Sequence, residues 1–163
     1  MATTGPACHV GHMVLGLGYR SPALLAKMAA TLQWYSGGRF TLGIGAGWQE
    51  DEYAAYGFPF PSAGTRIAQL GEAIDLIRAM WRDSPATFEG QHFQVREAYC
   101  EPRPDPPPRI LVGGQGPKLM RLAAEKADAW TWDGPLEVFT TPHQRLLEAC
   151  AAIGRDPDEI TKI

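Results

Sequence analysis

The chain has 163 residues, a formal net charge of −3 and 45% hydrophobic residues, the size of one ordinary domain that buries about two-thirds of its unfolded surface. Both signs of charge are interspersed, so charge points neither to nucleic acid nor to an anionic membrane, and no apolar run approaches the roughly 20 residues of a membrane span. Cys8, Cys100 and Cys150 form no C-x-x-C pair, and the first residues carry no basic-then-apolar leader. They read as reduced thiols of a cytoplasmic protein.

Residues 9–17, H-V-G-H-M-V-L-G-L, predict a first strand too apolar to alternate and therefore buried on both faces. Ser21 followed by Pro22 is an N-cap and first-position pair. Leu24, Leu25, Met28, Ala29 and Leu32 then fall at helical spacing and are expected to make one core stripe. Gly37-Gly38 end that helix, and residues 40–44 form a second strand bounded by glycines. This β-α-β unit requires parallel strands.

Residues 49–56 predict a short helix, ended by Gly57 and Phe58-Pro59-Phe60-Pro61. A long helix over 65–82 turns Ile67, Leu70, Ile74, Ile77 and Trp81 inward. Residues 86–88 and 91–95, joined around Glu89-Gly90, read as a two-stranded excursion. The proline-rich stretch 101–109 is a rigid connector. Ile110-Leu111-Val112 give a third strand, residues 118–126 a helix behind Pro117, and residues 127–132 a fourth strand. Thr141-Pro142 opens a helix to about residue 153, and residues 159–163 begin another strand.

The stretch Gly43-Ile44-Gly45-Ala46-Gly47-Trp48 is the focus of these elements. A glycine mouth at the carboxyl end of a parallel strand lets a ligand approach the backbone, although a plain tight turn has the same composition. It is not a dinucleotide fingerprint, because Trp48 occupies the place of the third glycine of G-x-G-x-x-G. No Gly-Lys-Ser or Gly-Lys-Thr occurs, which excludes a P-loop. His9, His92 and His143 lack carboxylate or cysteine neighbours at ligand spacing, so no metal site is expected. His12 reads as structural, Lys118 as either a surface residue or an anion contact, and Trp130 and Trp132 as core or interface.

Several motifs in unbroken order resemble the luciferase-like monooxygenase superfamily, including its deazaflavin-dependent members. They are the run from Tyr19-Arg20-Ser21-Pro22 to Leu32, then Ser36-Gly37-Gly38-Arg39-Phe40, the glycine mouth with Trp48, Glu52-Tyr53, Tyr56-Gly57, Thr87-Phe88-Glu89-Gly90, Val112-Gly113-Gly114, Ala127-Asp128 and Gly154-Arg155-Asp156-Pro157. The resemblance implies an α/β fold, a partial TIM (β/α)8 barrel. It supplies about four parallel strands, barrel strands 3 to 6, with helices and a small β-hairpin insertion. One domain, truncated at both ends relative to the family, is expected. Gln33 stands where the family usually carries aspartate.

The implied chemistry is hydride transfer, or oxygen activation, on a small organic substrate with FMN or coenzyme F-420. The alternative is a non-catalytic half-barrel. By the same resemblance Met13-Val14 matches a non-prolyl cis peptide behind the cofactor ring, with Leu15 and Gly16 on the same wall. Gly45, Ala46 and Gly47 match a backbone contact, and Asp51 or Glu52 reaches hydroxyls of the cofactor tail. Gly114, Gln115, Gly116 and Lys118 resemble a phosphate loop. No catalytic base is assigned, and a homodimer through the open sheet edges is the expected partner state.

Overall fold

The computed structural model describes residues 8–163, so residues 1–7, on which the expectation of no leader rests, lie outside the described residues. Its main sheet runs β1 (Val10–Gly11), β3 (Phe40–Gly45), β6 (Arg109–Gly113), β7 (Ala129–Thr131), β8 (Thr161–Lys162), with β2 (Leu15–Gly16) also on β3, and every pairing is parallel. Helices α1 (Pro22–Ser36), α2 (Glu50–Ala55), α3 (Ala63–Arg82), α4 (Pro117–Lys126) and α5 (Thr140–Ile153) connect the strands. The strand expected over residues 159–163 is reduced to Thr161–Lys162, already paired to β7.

Successive residues of a strand face opposite sides. On β3, Phe40, Leu42 and Ile44 join Ile110, Val112 and Trp130 in the core beneath the helices. The other face carries Thr41, Gly43 and Gly45, then Leu111 and Gly113, then Ala129 and Thr131, with Gly43 beside Leu111 and Gly113 beside Thr131. The inner row at the strand ends is therefore almost bare of side chains.

The first strand is not continuous. Val10 pairs with Phe40 but Leu15 with Ile44, so the register slips by one residue across His12, Met13 and Val14. That extra residue is a bulge, and it contains the cis Met13–Val14 peptide. Its effect is local and specific. Val14 lies across the bare row, with its methyls 2.9 Å from where a Gly45 Cβ would stand and 2.8 Å from a Gly113 Cβ.

The apolar stripe of α1 also differs from expectation. Leu24 and Met28 are exposed, together with Trp34 and Tyr35, while Leu25, Ala26, Ala29, Ala30, Gln33 and Ser36 are buried. Alanines carry the contact because they let α1 approach α3 closely, near enough for Trp81 Nε1 to donate to the Ala26 carbonyl at 2.9 Å. Gln33 takes over the helix-end contact: its Nε2 donates to the Pro106 carbonyl (2.8 Å) and its Oε1 accepts from Phe40 N (2.9 Å). The proline-rich connector is thereby tied to β3. At α5 the N-cap is Phe139, with no side-chain cap, and not Thr141.

The hairpin strands are β4 (Ala86–Glu89) and β5 (Gln94–Ala98), the second starting three residues later than predicted. Glu72 of α3 is the reason. Its carboxylate accepts from the amides of Gln91 (2.9 Å), His92 (2.7 Å) and Phe93 (2.5 Å) and spends those residues on a turn. Desolvation raises the Glu72 pKa, but the three amide bonds together hold it below the usual carboxylate range. A depressed folded-state pKa contributes stability that is complete above the unfolded value and is lost as pH falls through the folded one. Protection of the Gln91, His92 and Phe93 amides from exchange, taken relative to their intrinsic rates, is expected to fall as pH drops below the ordinary carboxylate range, and Glu72→Gln to show the reduced protection at neutral pH.

Candidate functional site

A cleft of about 600 Å³ opens at the carboxyl ends of the parallel strands, within the usual range for small-molecule and cofactor sites. Its back wall is Met13, Val14, Leu15 and Gly16; one side is Gly45, Ala46, Gly47, Trp48, Gln49, Glu52 and Tyr53; the other is Gly113, Gly114, Gln115, Leu119, Thr131, Trp132 and Asp133, with Tyr19 closing the first corner. Ala46 and Gln115 stand on the same rim. Among the described residues no group of three or more metal-ligating side chains converges.

Ten of the thirteen residues expected here line the cleft: Met13, Val14, Leu15, Gly16, Gly45, Ala46, Gly47, Glu52, Gly114 and Gln115. Asp51, Gly116 and Lys118 do not. Asp51 is exposed on α2, Gly116 is the N-cap of α4, and Lys118 extends toward the start of α3, its Nζ 3.7 Å from where a Gly64 Cβ would stand. His12 lies outside as well, edge-on to Phe40 at 5.5 Å. Burial and the Arg20 charge lower its pKa, so it is neutral at pH 7.

Backbone carbonyls fix the two glycine loops. Arg66 stacks on Phe60, 3.7 Å from the ring centre, and donates to the Gly47 and Pro61 carbonyls. Gly47 and Gly114 have φ of +80° and +127°, values that glycine adopts without strain. A Gly114 Cβ would also stand 2.2 Å from a Leu119 methyl. From below, Trp130 Nε1 donates to the Gly114 carbonyl at 2.7 Å, and from α5 Arg145 donates to that of Gln115 at 3.3 Å. Pro117 at the first position of α4 leaves the helix amides facing the loop.

Sequence reasoning missed Tyr19, Tyr53, Leu119, Thr131, Trp132 and Asp133 as cleft residues. Tyr19 donates to Glu52 Oε2 at 2.7 Å across 33 positions, a pairing no local pattern reveals. Desolvation, then the Glu52 hydrogen bond and charge, raise the Tyr19 pKa above its ordinary value, so the phenol keeps its proton. Thr131 was legible, since alternation from buried Trp130 places it inward. Trp132 is only partly core. Its Nε1 and the Tyr53 hydroxyl are buried without a partner, as is His12 Nδ1.

A parallel β/α sheet with a glycine-rimmed cleft at its carboxyl edge has the arrangement of part of a (β/α)8 barrel, the fold in which ligands are bound at that edge. The comparisons make this specific. Residues 8–163 match the family described as luciferase-like monooxygenase, and the chain belongs to that family. It is 34% identical over 141 residues to the pyrimidine monooxygenase RutA of Stutzerimonas stutzeri, covering 82% of this chain and 39% of that protein. It is 36% identical over 145 residues to the F-420-dependent glucose-6-phosphate dehydrogenase of Kineococcus radiotolerans, covering 87% and 43%. The solved coenzyme F-420-dependent tetrahydromethanopterin reductase of Methanopyrus kandleri superposes with a TM-score of 0.86 at 23% identity, over 99% of this chain and 50% of that one; that likeness shows the fold. The chain spans less than half the length of these curated relatives. No helix among the described residues is long and apolar enough to cross a membrane.

Proposed function

We propose that the cleft seats FMN or the deazaflavin coenzyme F-420, and that the chain is the cofactor-binding part of a luciferase-like oxidoreductase or monooxygenase acting on a small organic substrate. The row of Gly45 and Gly113 carries the reading: without side chains of their own, these glycines let Val14 lie down across them, so the cleft wall is a low surface of Val14 methyls and glycine backbone against which a planar ring fits. The unpartnered Tyr53 hydroxyl and Trp132 Nε1 on cleft-lining residues fit the same reading, because buried polar groups are normally satisfied.

In this reading Met13, Val14, Leu15 and Gly16 back the ring, while Gly45, Ala46 and Gly47 bring backbone against its other edge. Gly114 and Gln115 receive an anionic end beside the free amides of α4, with Gly116 and Lys118 at the outer rim. Glu52, held by Tyr19, accepts hydroxyls of the tail, and Asp51 has no contact in the cleft. Bound there, such a cofactor supplies hydride transfer, or oxygen activation in oxygen-using relatives. The exposed indole of Trp48 offers a stacking face for a substrate at the mouth.

Titration with FMN and with coenzyme F-420 is expected to quench cofactor fluorescence. No response to either up to millimolar cofactor overturns the reading. The outward residues Leu24, Met28, Trp34 and Tyr35 of α1, beside strands β1 and β2 paired on one side among the described residues, favour a second copy as their cover. Light scattering on the titrated sample distinguishes one chain from two.

A further inference from the structure

Tyr53 is 1% exposed. Its ring packs on Tyr19 (4.4 Å) and Phe60 (5.0 Å), contacts that phenylalanine would make equally well. What distinguishes it is the hydroxyl, which is buried without a hydrogen-bond partner. It sits at the seam of the two loops that form one corner of the cleft. Cβ atoms built on Gly47, Gly18 and Gly16 would stand 2.2, 2.8 and 3.2 Å from it. Three glycine backbones thus make room for the oxygen; the Gly18 backbone approaches it closely enough to favour its charged form, but the hydroxyl's own hydrogen meets no acceptor in the fold.

The neighbouring acid does not take it: Glu52 accepts from Tyr19, and the Tyr53 hydroxyl makes no bond to either of its oxygens. Burial raises the Tyr53 pKa, so the oxygen carries a proton throughout the neutral range. A desolvated, unspent donor works against folding, and Tyr53 is one of the residues that line the cleft.

We infer that the Tyr53 hydroxyl is a donor held in reserve for the molecule in the cleft, where it takes an acceptor oxygen: a hydroxyl, carbonyl or phosphate oxygen. This rests on the cofactor reading above and adds a positioning residue to it. The hydroxyl orients the ligand against the Gly16 and Gly47 loops, and its hydrogen bond is completed only on binding.

The test is Tyr53→Phe, read in two ways. Without ligand, the variant is expected to melt at the same temperature as the unsubstituted chain or higher, because an unsatisfied polar group has been removed. With FMN or coenzyme F-420 it is expected to bind about tenfold more weakly, the effect of losing one hydrogen bond. A residue that only packs would move both readouts the same way or neither.

Riboflavin and lumichrome locate the acceptor. A penalty with FMN and riboflavin but not lumichrome assigns it to the side chain of the flavin, a penalty with FMN alone to its phosphate, and a penalty with all three to a ring carbonyl; each result supports the inference. Equal affinities of Tyr53→Phe and the unsubstituted chain for every ligand overturn it while leaving the cofactor reading intact. A lower melting temperature without ligand also overturns it, because the hydroxyl would then be satisfied within the fold. Failure of the unsubstituted chain to bind any of these ligands overturns the cofactor reading, and this inference with it.

Discussion

Gly43→Ala is expected to cost at least about 3 kcal/mol of stability, the upper end for overpacking a core. A Cβ at Gly43 would stand 1.8 Å from the His12 carbonyl oxygen and 2.7 Å from its carbon. Both are backbone atoms of the bulge, and no rotamer change moves them aside. The His12 peptide would have to retreat from β3, carrying with it Val14, whose Cγ1 lies 3.2 Å from the same Cβ position. The damage thus reaches the cleft, and ligand affinity falls with stability. Gly116→Ala is the control, since Gly116 has φ of −69° and nothing within 4 Å of its Cβ position. Its urea midpoint is expected to stay near that of the unsubstituted chain. A Gly43→Ala midpoint equally close to it would show that the bulge does not press on β3.

The parts of this fold legible in the sequence are those fixed by punctuation and period. Gly37-Gly38, the Pro59 and Pro61 break, the proline connector and Pro117 bound the elements within a residue or two of where they lie, because these residues restrict the backbone locally. The glycine mouth was equally plain. Features created by pairing were not. The one-residue slip between Gly11 and Leu15 exists only relative to β3, and the late start of β5 depends on Glu72, about 20 positions away. The α1 face went wrong because large apolar residues drew the stripe, whereas close helix packing favoured alanines. At the site, backbone-lined walls were readable from glycines. The aromatic corner of Tyr19 and Tyr53 is made by residues 34 apart in the chain, and nothing local marks an unpartnered hydroxyl.

Trp130 links the core to the cleft through one side chain. Its ring is fully buried beneath the sheet and stacks near Phe139, 5.8 Å between centres. Its indole N–H is spent on the Gly114 carbonyl, the loop where backbone faces ligand. Trp130→Ala is therefore expected to remove about 3–5 kcal/mol, the range for truncating a buried aromatic side chain. It would leave the chain largely unfolded if its total stability is at the low end of the usual range. Trp130→Phe separates the roles. It keeps most of the buried ring but strips the Gly114 carbonyl of its donor, an expected loss of about 1–3 kcal/mol. Freed from below, Gly114 loses the tether that holds its amide and that of Gln115 at the rim. Affinity for FMN is then expected to fall further than affinity for lumichrome, which lacks the anionic end. Equal losses for both ligands would mean that Trp130 supports the core without aiming the loop.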